Sequence, residues 1–157
     1  MTAQFTFITT SEEQTADMAV QIGSQLGAGD TVLLHGPVGA GKSVFCRALI
    51  QSRLDRHEDV PSPTFTLVQI YSAADTEIWH ADLYRLGSPD EIIELGLLDA
   101  METALCLIEW PDRLGYYAPE NALHITLNTQ DATRPETERS LTLAGPKAAS
   151  LKDSLDA

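Results

Sequence analysis

The chain has 157 residues, of which 43% are hydrophobic, 6% aromatic and 21% charged. This is the size of one domain with a single core, and the composition excludes a disordered chain. No apolar run approaches the roughly 20 residues that cross a bilayer, and Met1–Thr9 lacks the features of a signal peptide. We therefore expect a cytoplasmic protein without a membrane contact.

The charge of the chain bears on its partners. Ten basic and 23 acidic residues give a formal net charge of −13. Nucleic-acid binders draw their affinity from a clustered basic face, whereas the basic residues here are scattered. We therefore expect no DNA binding and no strong direct RNA binding, although a basic protein partner is compatible with this surface. The two cysteines, Cys46 and Cys106, lie in apolar segments without a CxxC motif, which predicts reduced, buried thiols.

The predicted elements begin with a short strand over Phe5–Ile8, where apolar and polar residues alternate. Ser11 then begins a helix, and Gln14 three positions later completes a capping-box pattern. Gly27–Asp30 ends this helix and turns the chain. The buried face of the helix is predicted from apolar residues at four-residue intervals: Met18, Ile22 and Leu26.

The middle of the chain alternates between strands and helices. Thr31–His35 is a compact apolar run, typical of a central strand buried on both sides. A glycine-rich loop follows it, and Val44–Leu54 has the spacing of a helix. Pro61 and Pro63 predict a loop over His57–Phe65.

The second half continues the mixed pattern. Further strands are predicted over Thr66–Ser72, Glu77–Ala81, Ala104–Ile108, Ala122–Asn128 and Ser140–Leu143. Ser88 is predicted to cap a short helix that Gly96 interrupts, with Pro89 and Glu91 in its first turn. The absence of repeats and linkers predicts a single domain over residues 1–157, in which residues 146–157 form a tail or a final helix.

The loop sequence Gly36–Ser43, GPVGAGKS, matches G-x-x-x-x-G-K-[ST] without a gap. Glycines let backbone N–H groups approach phosphate oxygens, and the following helix adds the positive end of its dipole. Lys42 can reach the β- and γ-phosphates, and the Ser43 hydroxyl can bind Mg²⁺. The sequence therefore predicts a P-loop that binds ATP with Mg²⁺. The fold class expected is α/β, a three-layer P-loop NTPase fold whose central sheet is mostly parallel with antiparallel additions.

A P-loop also needs an acidic anchor for Mg²⁺ at the end of a neighbouring buried strand. Glu109 directly follows an apolar run and fits that position, and Trp110 beside it is a candidate for shaping the pocket. Asp82 is the second acidic candidate and shares a strand face with His80, because alternate residues point the same way. Thr64 is a candidate switch residue that senses the γ-phosphate. We interpret the remaining histidines as structural or surface residues: His35, His57 and His124.

Four motifs in order resemble the TsaE family, the bacterial ATPases required for threonylcarbamoyladenosine modification of tRNA. They are GPVGAGKS at Gly36–Ser43, SPTFTLV at Ser62–Val68, HADLYRL at His80–Leu86 and LIEWPDRL at Leu107–Leu114. The resemblance covers roughly residues 5–143. It implies slow, Mg²⁺-dependent ATP hydrolysis by a component that acts with the partners TsaD and TsaB to permit repeated turnover, and that meets tRNA only through this complex.

The resemblance also assigns site residues. It implies that Lys42, Asp82 and Glu109 are catalytic, and that Ser43, Asp82 and Glu109 form the metal set. In the family, an N-terminal segment contacts the nucleotide base, which points to Ser11 or Glu12 here. The family's arginine after the last long strand points to Arg134. The nucleotide site expected on this basis comprises Ser11, Glu12, Gly39, Ala40, Gly41, Lys42, Ser43, Val44, Thr64, Trp110 and Arg134.

Two other functions remain open from the residues alone. A small-metabolite kinase would need an acceptor pocket and an arginine-bearing lid, and Arg134 and Arg139 lie in a polar segment without a lid-sized insertion. A non-hydrolytic nucleotide switch would use the same residues as a slow ATPase. A guanine-specific protein is disfavoured because the sequence has no NKxD-type motif.

Overall fold

A computed structural model describes residues 4–37, 40–54, 58–61, 63, 67–129 and 138–156. Within these ranges the strands are β1 Gln4–Thr9, β2 Thr31–His35, β3 Val68–Ser72, β4 Glu77–Asp82, β5 Leu105–Glu109, β6 Leu123–Thr129 and β7 Arg139–Ala144. The helices are α1 Glu12–Gly23, α2 Lys42–Arg53, α3 Glu91–Glu94, α4 Leu97–Thr103 and α5 Ala148–Asp156, with a 3₁₀ helix over Pro111–Tyr117. None of the helices in this part of the chain has both the length and the apolar character needed to cross a membrane.

The strands form one mixed sheet in the order β1-β7-β6-β2-β5-β4-β3. The four central strands, β6, β2, β5 and β4, run parallel to one another. The outer strands β7, β1 and β3 are antiparallel to their neighbours. The predicted α/β class, with a parallel centre and antiparallel additions, is therefore confirmed.

The sheet is buried on both faces. Val32 and Leu34 of β2 point to a hydrophobic cluster that includes residues of α1, α2 and α5, here called the α2 face. Leu33 points to a second cluster with residues of α3, α4 and the 3₁₀ helix, here called the α4 face. This two-sided burial explains why β2 has no polar alternation along its length.

The start of α1 agrees with the sequence, but its end does not. Ser11 caps the helix, because its Oγ accepts a hydrogen bond from the Gln14 N–H at 3.1 Å. The Gln14 side chain reaches back to the N–H of Thr10, one residue before the expected partner. The helix ends at Gly23, before the predicted stop at Gly27–Asp30. The Arg53 guanidinium donates hydrogen bonds to the carbonyls of Gly23 and Leu26, which satisfies acceptors at this helix end.

The predicted cap at Ser88 is present, because its Oγ accepts a hydrogen bond from the Asp90 N–H at 3.3 Å, but the α-helix itself begins later than expected. Helix α3 begins at Glu91, and Asp90 before it has helical backbone angles without a side-chain cap. The Ser88 carbonyl also accepts from the Glu91 N–H at 3.1 Å, so the turn between Ser88 and α3 has the 3₁₀ pattern and not the α-helical one. Gly96, with φ of +79°, then separates α3 from α4.

Other boundaries shift by one or two residues. Helix α2 begins at Lys42, two residues before the predicted start. Strand β3 begins at Val68, because Leu67 has a left-handed φ of +68° that interrupts extended backbone. Of the two alternatives left open for the end of the chain, a tail or a helix, the structure shows a helix, α5.

Candidate functional site

The glycine loop joins the carboxyl end of β2 to the start of α2. Gly36 has φ of +139°, and a Cβ built there would lie 2.2 Å from the Leu127 carbonyl oxygen, so a side chain is excluded. Gly41 has φ of +102° and is the N-cap of α2. Ala40 between them is buried. Two glycines thus hold a backbone conformation that other residues rarely adopt.

Lys42, the first residue of α2, is only 5% exposed. Its ammonium donates to the Gly36 carbonyl at 2.6 Å and lies 3.7 Å from the centroid of the Trp110 ring, in a cation–π contact. Burial lowers the pKa of Lys42, and the nearby carboxylates of Glu109 and Asp82 oppose that shift. The lysine is therefore a buried amine placed between the loop and two acids.

These two acids end neighbouring parallel strands. Asp82 is the last residue of β4 and Glu109 the last of β5, and the two are partners in the sheet register. Their exposed fractions are 5% and 3%. Glu109 is also paired in register with Leu34, so both carboxylates lie on the α2 face, the side from which Lys42 approaches. Asp82 Oδ1 accepts a hydrogen bond from the Tyr84 N–H at 3.0 Å.

His80 orients one of the acids. Its Nε2 lies 2.7 Å from Glu109 Oε2, and the ring is 2% exposed. His80 Nδ1 is buried and has no hydrogen-bond partner among the described residues. With a proton on Nε2, the ring donates a hydrogen bond to the Glu109 carboxylate. The sequence showed that His80 and Asp82 share a face, but not that the histidine contacts Glu109.

Trp110 forms the wall beside the lysine. It has a left-handed φ of +57°, which is uncommon outside glycine, and is half-buried. Its ring also packs against Tyr84, with ring centroids 5.0 Å apart and planes at 54°. A cavity of about 240 Å³ opens here, lined by Leu34, His35, Gly36, Pro37, Lys42, Trp110, Pro111 and Asp112.

Of the remaining predicted site residues, some lie near the glycine loop and others fall outside the described residues. Ser43 and Val44 lie in the first turn of α2 and are half-buried. Ser11 and Glu12 follow β1, whose last residue, Thr9, pairs with Arg139 of β7. Arg139 contacts the glycine loop, so the end of β1 lies at the same edge of the sheet as that loop. Gly39, Thr64 and Arg134 lie outside the described residues.

Arg139 is a site residue that the sequence did not single out. Its Nε donates to the Ala40 carbonyl at 3.1 Å, which ties the start of β7 to the glycine loop. Sequence reasoning considered Arg139 only as part of a lid and placed the nucleotide arginine at Arg134. The signal that could have found it is its position as the first residue of β7, where it pairs with Thr129 at the end of β6.

A histidine pair lies across the sheet, on the α4 face. His35 Nε2 and His124 Nδ1 are 3.0 Å apart, and the rings stack with centroids 5.2 Å apart. The pKa of His35 is lowered below 6.5, mainly by burial and further by His124 and Lys42, while Asp112 opposes the shift. The pair is half-buried and makes a polar contact between β2 and β6.

The fold and the site define an α/β protein with a glycine-loop lysine opposite a buried pair of acids at the carboxyl edge of a parallel sheet. A family model, "Threonylcarbamoyl adenosine biosynthesis protein TsaE", matches residues 9–140. The chain therefore belongs to the TsaE family, as the motifs predicted.

Individual relatives agree with this assignment. The chain is 40% identical over 121 residues to the tRNA threonylcarbamoyladenosine biosynthesis protein TsaE of Rickettsia conorii, covering 77% of this chain and 69% of that protein. It is 34% identical over 121 residues to the protein of the same name from Treponema pallidum, covering 76% and 88%. The crystal structure of Bacillus subtilis YdiB has the same fold, with a TM-score of 0.78 at 24% identity over 99% of this chain and 96% of that one.

Proposed function

We propose that the chain is the ATP-binding component of tRNA threonylcarbamoyladenosine biosynthesis, a P-loop ATPase that hydrolyses ATP slowly and with Mg²⁺. Within this proposal the sheet with helices on both faces is the three-layer P-loop NTPase fold, and the whole chain is one such domain. The observation that supports it best is the buried Lys42, which lies between the glycine loop and the carboxylates of Glu109 and Asp82.

The loop supplies the phosphate contacts. Backbone N–H groups at the start of α2 and the helix dipole favour an anion there, and Gly41 lets the backbone approach it closely. In this structure the Lys42 ammonium is held by a carbonyl and a ring face, both neutral partners. A phosphate oxygen is a stronger partner for an ammonium than either. Lys42 is thus positioned to exchange these contacts for β- and γ-phosphate oxygens.

The residues present fit a magnesium ion. Mg²⁺ prefers oxygen ligands, and oxygen donors are available in the hydroxyl of Ser43, which follows Lys42 in α2, and in the carboxylates of Asp82 and Glu109, which end β4 and β5. Two buried acids next to each other are costly unless cations neutralise them, and Lys42 supplies one positive charge. When bound, Mg²⁺ supplies the charge that offsets the phosphates during transfer. Glu109, fixed by His80, and Asp82 are the residues that would hold it or orient water toward the γ-phosphate.

The remaining nucleotide contacts follow the predicted set. Trp110 provides an aromatic wall over the cavity, and Ser11 or Glu12 lies at the same sheet edge for the base. Gly39, Thr64 and Arg134 stay predictions. We add Arg139 to this set, because its Nε donates a hydrogen bond to the Ala40 carbonyl of the glycine loop.

The surface charge supports action through partners. A net charge of −13 opposes direct tRNA binding, because phosphate contacts require basic residues. We propose that TsaD-like and TsaB-like proteins in the cytoplasm carry the tRNA and the carbamoyl chemistry. In this arrangement the chain permits repeated turnover of that complex.

The test is ATP hydrolysis by the purified chain, alone and with the TsaD-like and TsaB-like proteins of the same organism. A low basal rate that rises several-fold with the pair is expected, and Lys42→Ala should remove both. A rate that ignores the pair but rises with a small metabolite would overturn the proposal in favour of a kinase. Retained Mg-ATP binding and partner function without hydrolysis would identify a nucleotide switch.

A further inference from the structure

Exposed apolar side chains gather on two segments that pack on the same face of the sheet. Among the described residues six large apolar side chains are exposed, and three of them are Tyr84, Ile93 and Tyr116. They belong to residues 84–93 and 110–117, and both segments contribute to the hydrophobic cluster of the α4 face. Tyr116 is 81% exposed, the largest fraction of the six. Single exposed apolar residues are ordinary, whereas a group of them marks an interaction surface.

Contacts join the end of the 3₁₀ helix to the start of α3. The rings of Tyr116 and Tyr117 pack with centroids 4.5 Å apart and planes at 45°. Tyr117 Oη donates a hydrogen bond to Asp90 Oδ1 at 3.4 Å. The Ile93 N–H donates to the Asp90 carbonyl at 3.2 Å, so Ile93 lies one turn beyond the acid that Tyr117 contacts. The two tyrosines and Ile93 are therefore neighbours on the surface.

Tyr84 lies at the other end of the 3₁₀ helix. Its ring packs against Trp110, and both Trp110 and Tyr117 pack on the cluster of the α4 face. Tyr117 follows Trp110 by seven positions, which in a 3₁₀ helix is about 14 Å. A standard interface buries roughly 800 Å² on each partner and is about 30 Å across, enough to cover both ends. We call Tyr84, Ile93, Tyr116 and Tyr117 together the tyrosine surface.

Tyr116 is held in one position although it is exposed. Its Oη donates to Tyr117 Oη at 3.3 Å, in addition to the packing of the two rings. Gly115 before it has φ of +56° and interrupts the helical backbone at this point. A side chain that is already ordered loses less conformational entropy on binding, and tyrosine is enriched among the residues that dominate binding energy. Tyr116 thus has the properties of an anchor for a partner.

The charges around the tyrosine surface indicate which partner fits. The exposed charged side chains of residues 84–94 and 111–120 are four acids and two arginines: Asp90, Glu94, Asp112, Glu120, Arg85 and Arg113. The excess of acids repels the phosphates of a nucleic acid. A second copy of the chain would place the same acids opposite one another in a two-fold interface, which is also unfavourable. Lysine and arginine side chains complement the acids and also bind to the faces of tyrosine rings.

We propose that the tyrosine surface docks a basic segment of a partner protein. Its lysine or arginine side chains contact Asp90 and Glu94, and an apolar side chain packs between Ile93 and Tyr116. A partner seated here also contacts Tyr84, whose ring packs on Trp110, the wall beside Lys42. The partner would therefore lie next to the phosphate site without occupying it. The inference deepens the proposed function, on which the choice of the TsaD-like and TsaB-like pair as the probe rests.

The test measures binding of the purified pair to the chain by isothermal titration calorimetry, with and without Mg-ATP. Tyr116→Ala should weaken binding about tenfold or more, and Ile93→Ala should weaken it about threefold or more. Both side chains are exposed, so we expect a native circular dichroism spectrum in each variant. Val20→Ala is the matched control, because Val20 is an exposed aliphatic residue of α1, on the opposite side of the sheet. It should bind as the wild type does.

A second pair of variants tests the charge. Glu94→Lys and Asp17→Lys change the net charge of the chain equally, and both positions are exposed, one beside Ile93 and the other on α1. Glu94→Lys should weaken binding about fivefold at low salt, and the difference should shrink at high salt because ions screen exposed charges. Asp17→Lys should stay within about twofold of the wild type. Equal losses in both variants would mean that only the overall charge matters, which contradicts docking at this surface.

The outcomes separate the surface from the proposed function. Wild-type affinity in Tyr116→Ala, Ile93→Ala and Glu94→Lys would overturn the surface and leave the partner assignment standing. A wild-type chain that does not bind the pair would overturn both. Self-association in analytical ultracentrifugation that Tyr116→Ala abolishes would assign the surface to a second copy instead. Binding that the three variants weaken, in a chain that hydrolyses no ATP, would support the surface while the ATPase proposal fails.

Discussion

The two faces of the sheet differ most where β4 and β5 end. On the α2 face the side chains change from apolar to charged along both strands, from Ile78 to Asp82 and from Leu105 to Glu109. On the α4 face the neighbouring Cys106 and Ile108 stay in a hydrophobic cluster. Adjacent residues of one strand thus serve packing and chemistry separately, because successive side chains point to opposite faces. The chemistry therefore depends on one face of a few strand ends, while the other face holds those ends in place.

The largest expected effect comes from removing the cation on the α2 face. Lys42→Ala should lower kcat/KM for ATP at least about a hundredfold, since one charged contact to the reacting phosphates is lost. It also leaves the buried carboxylates of Glu109 and Asp82 without their lysine. Steady-state hydrolysis measures this, with Lys147→Ala as the control, because Lys147 is partly exposed and pairs with Asp30. Unchanged turnover in Lys42→Ala would show that Lys42 takes no part in ATP hydrolysis.

Neutralising the acids should have the next largest effect. Glu109→Gln and Asp82→Asn keep the side-chain volume, so we expect a native fold and a loss of Mg²⁺-dependent hydrolysis of about ten- to a hundredfold. Varying Mg²⁺ during the assay separates weaker metal binding from slower chemistry. Glu102→Gln, at an exposed position of α4, is the matched control and should behave as the wild type. Wild-type rates in both acid variants would mean that the metal site lies elsewhere.

A change on the α4 face should affect stability and leave the chemistry intact. Ile108 is fully buried, adjacent to Glu109 and on the other side of the sheet. Ile108→Val removes one methylene group and should lower the free energy of unfolding by about 0.5–1.5 kcal/mol. Urea unfolding measures the loss, and kcat for ATP should stay within a factor of two. A large loss of kcat at full folding would show that the two faces do not act separately.

The same contrast explains what the sequence could predict. The central strands β2 and β5 are apolar runs buried on both sides, so their existence and the acid after β5 follow directly from the residues. Helices α3 and α4 have four and seven residues, too few for a helical period to be recognised, so the start of α3 at Glu91 did not follow from the cap at Ser88. Local sequence identifies long, periodic elements and fails where short turns set the boundary.

Pairings within the site were beyond the sequence for a different reason. That Asp82 lies beside Glu109 depends on the register of two strands separated by α3 and α4, which no local pattern specifies. The contact of His80 with Glu109 depends on the same register. The left-handed backbone of Trp110, which brings its ring over Lys42, is equally invisible, because tryptophan has no preference for that conformation.

The smallest expected effect is the pH dependence of the histidine pair on the α4 face. The pKa of His35 is lowered from 6.5, so the unfolded chain binds its proton at a higher pH than the folded chain does. The stability that His35 gives is therefore complete above pH 6.5 and is lost as the pH falls through the lowered pKa. In His35→Gln, which cannot titrate, unfolding by urea should show a smaller loss of stability between about pH 7.5 and pH 5 than the wild type. Equal losses in both chains would show that the pair does not respond to acid in this way. Because Lys42 is one of the charges that lower this pKa, Lys42→Met should raise it slightly, and an NMR titration of His35 would then measure how far the two faces are coupled by charge.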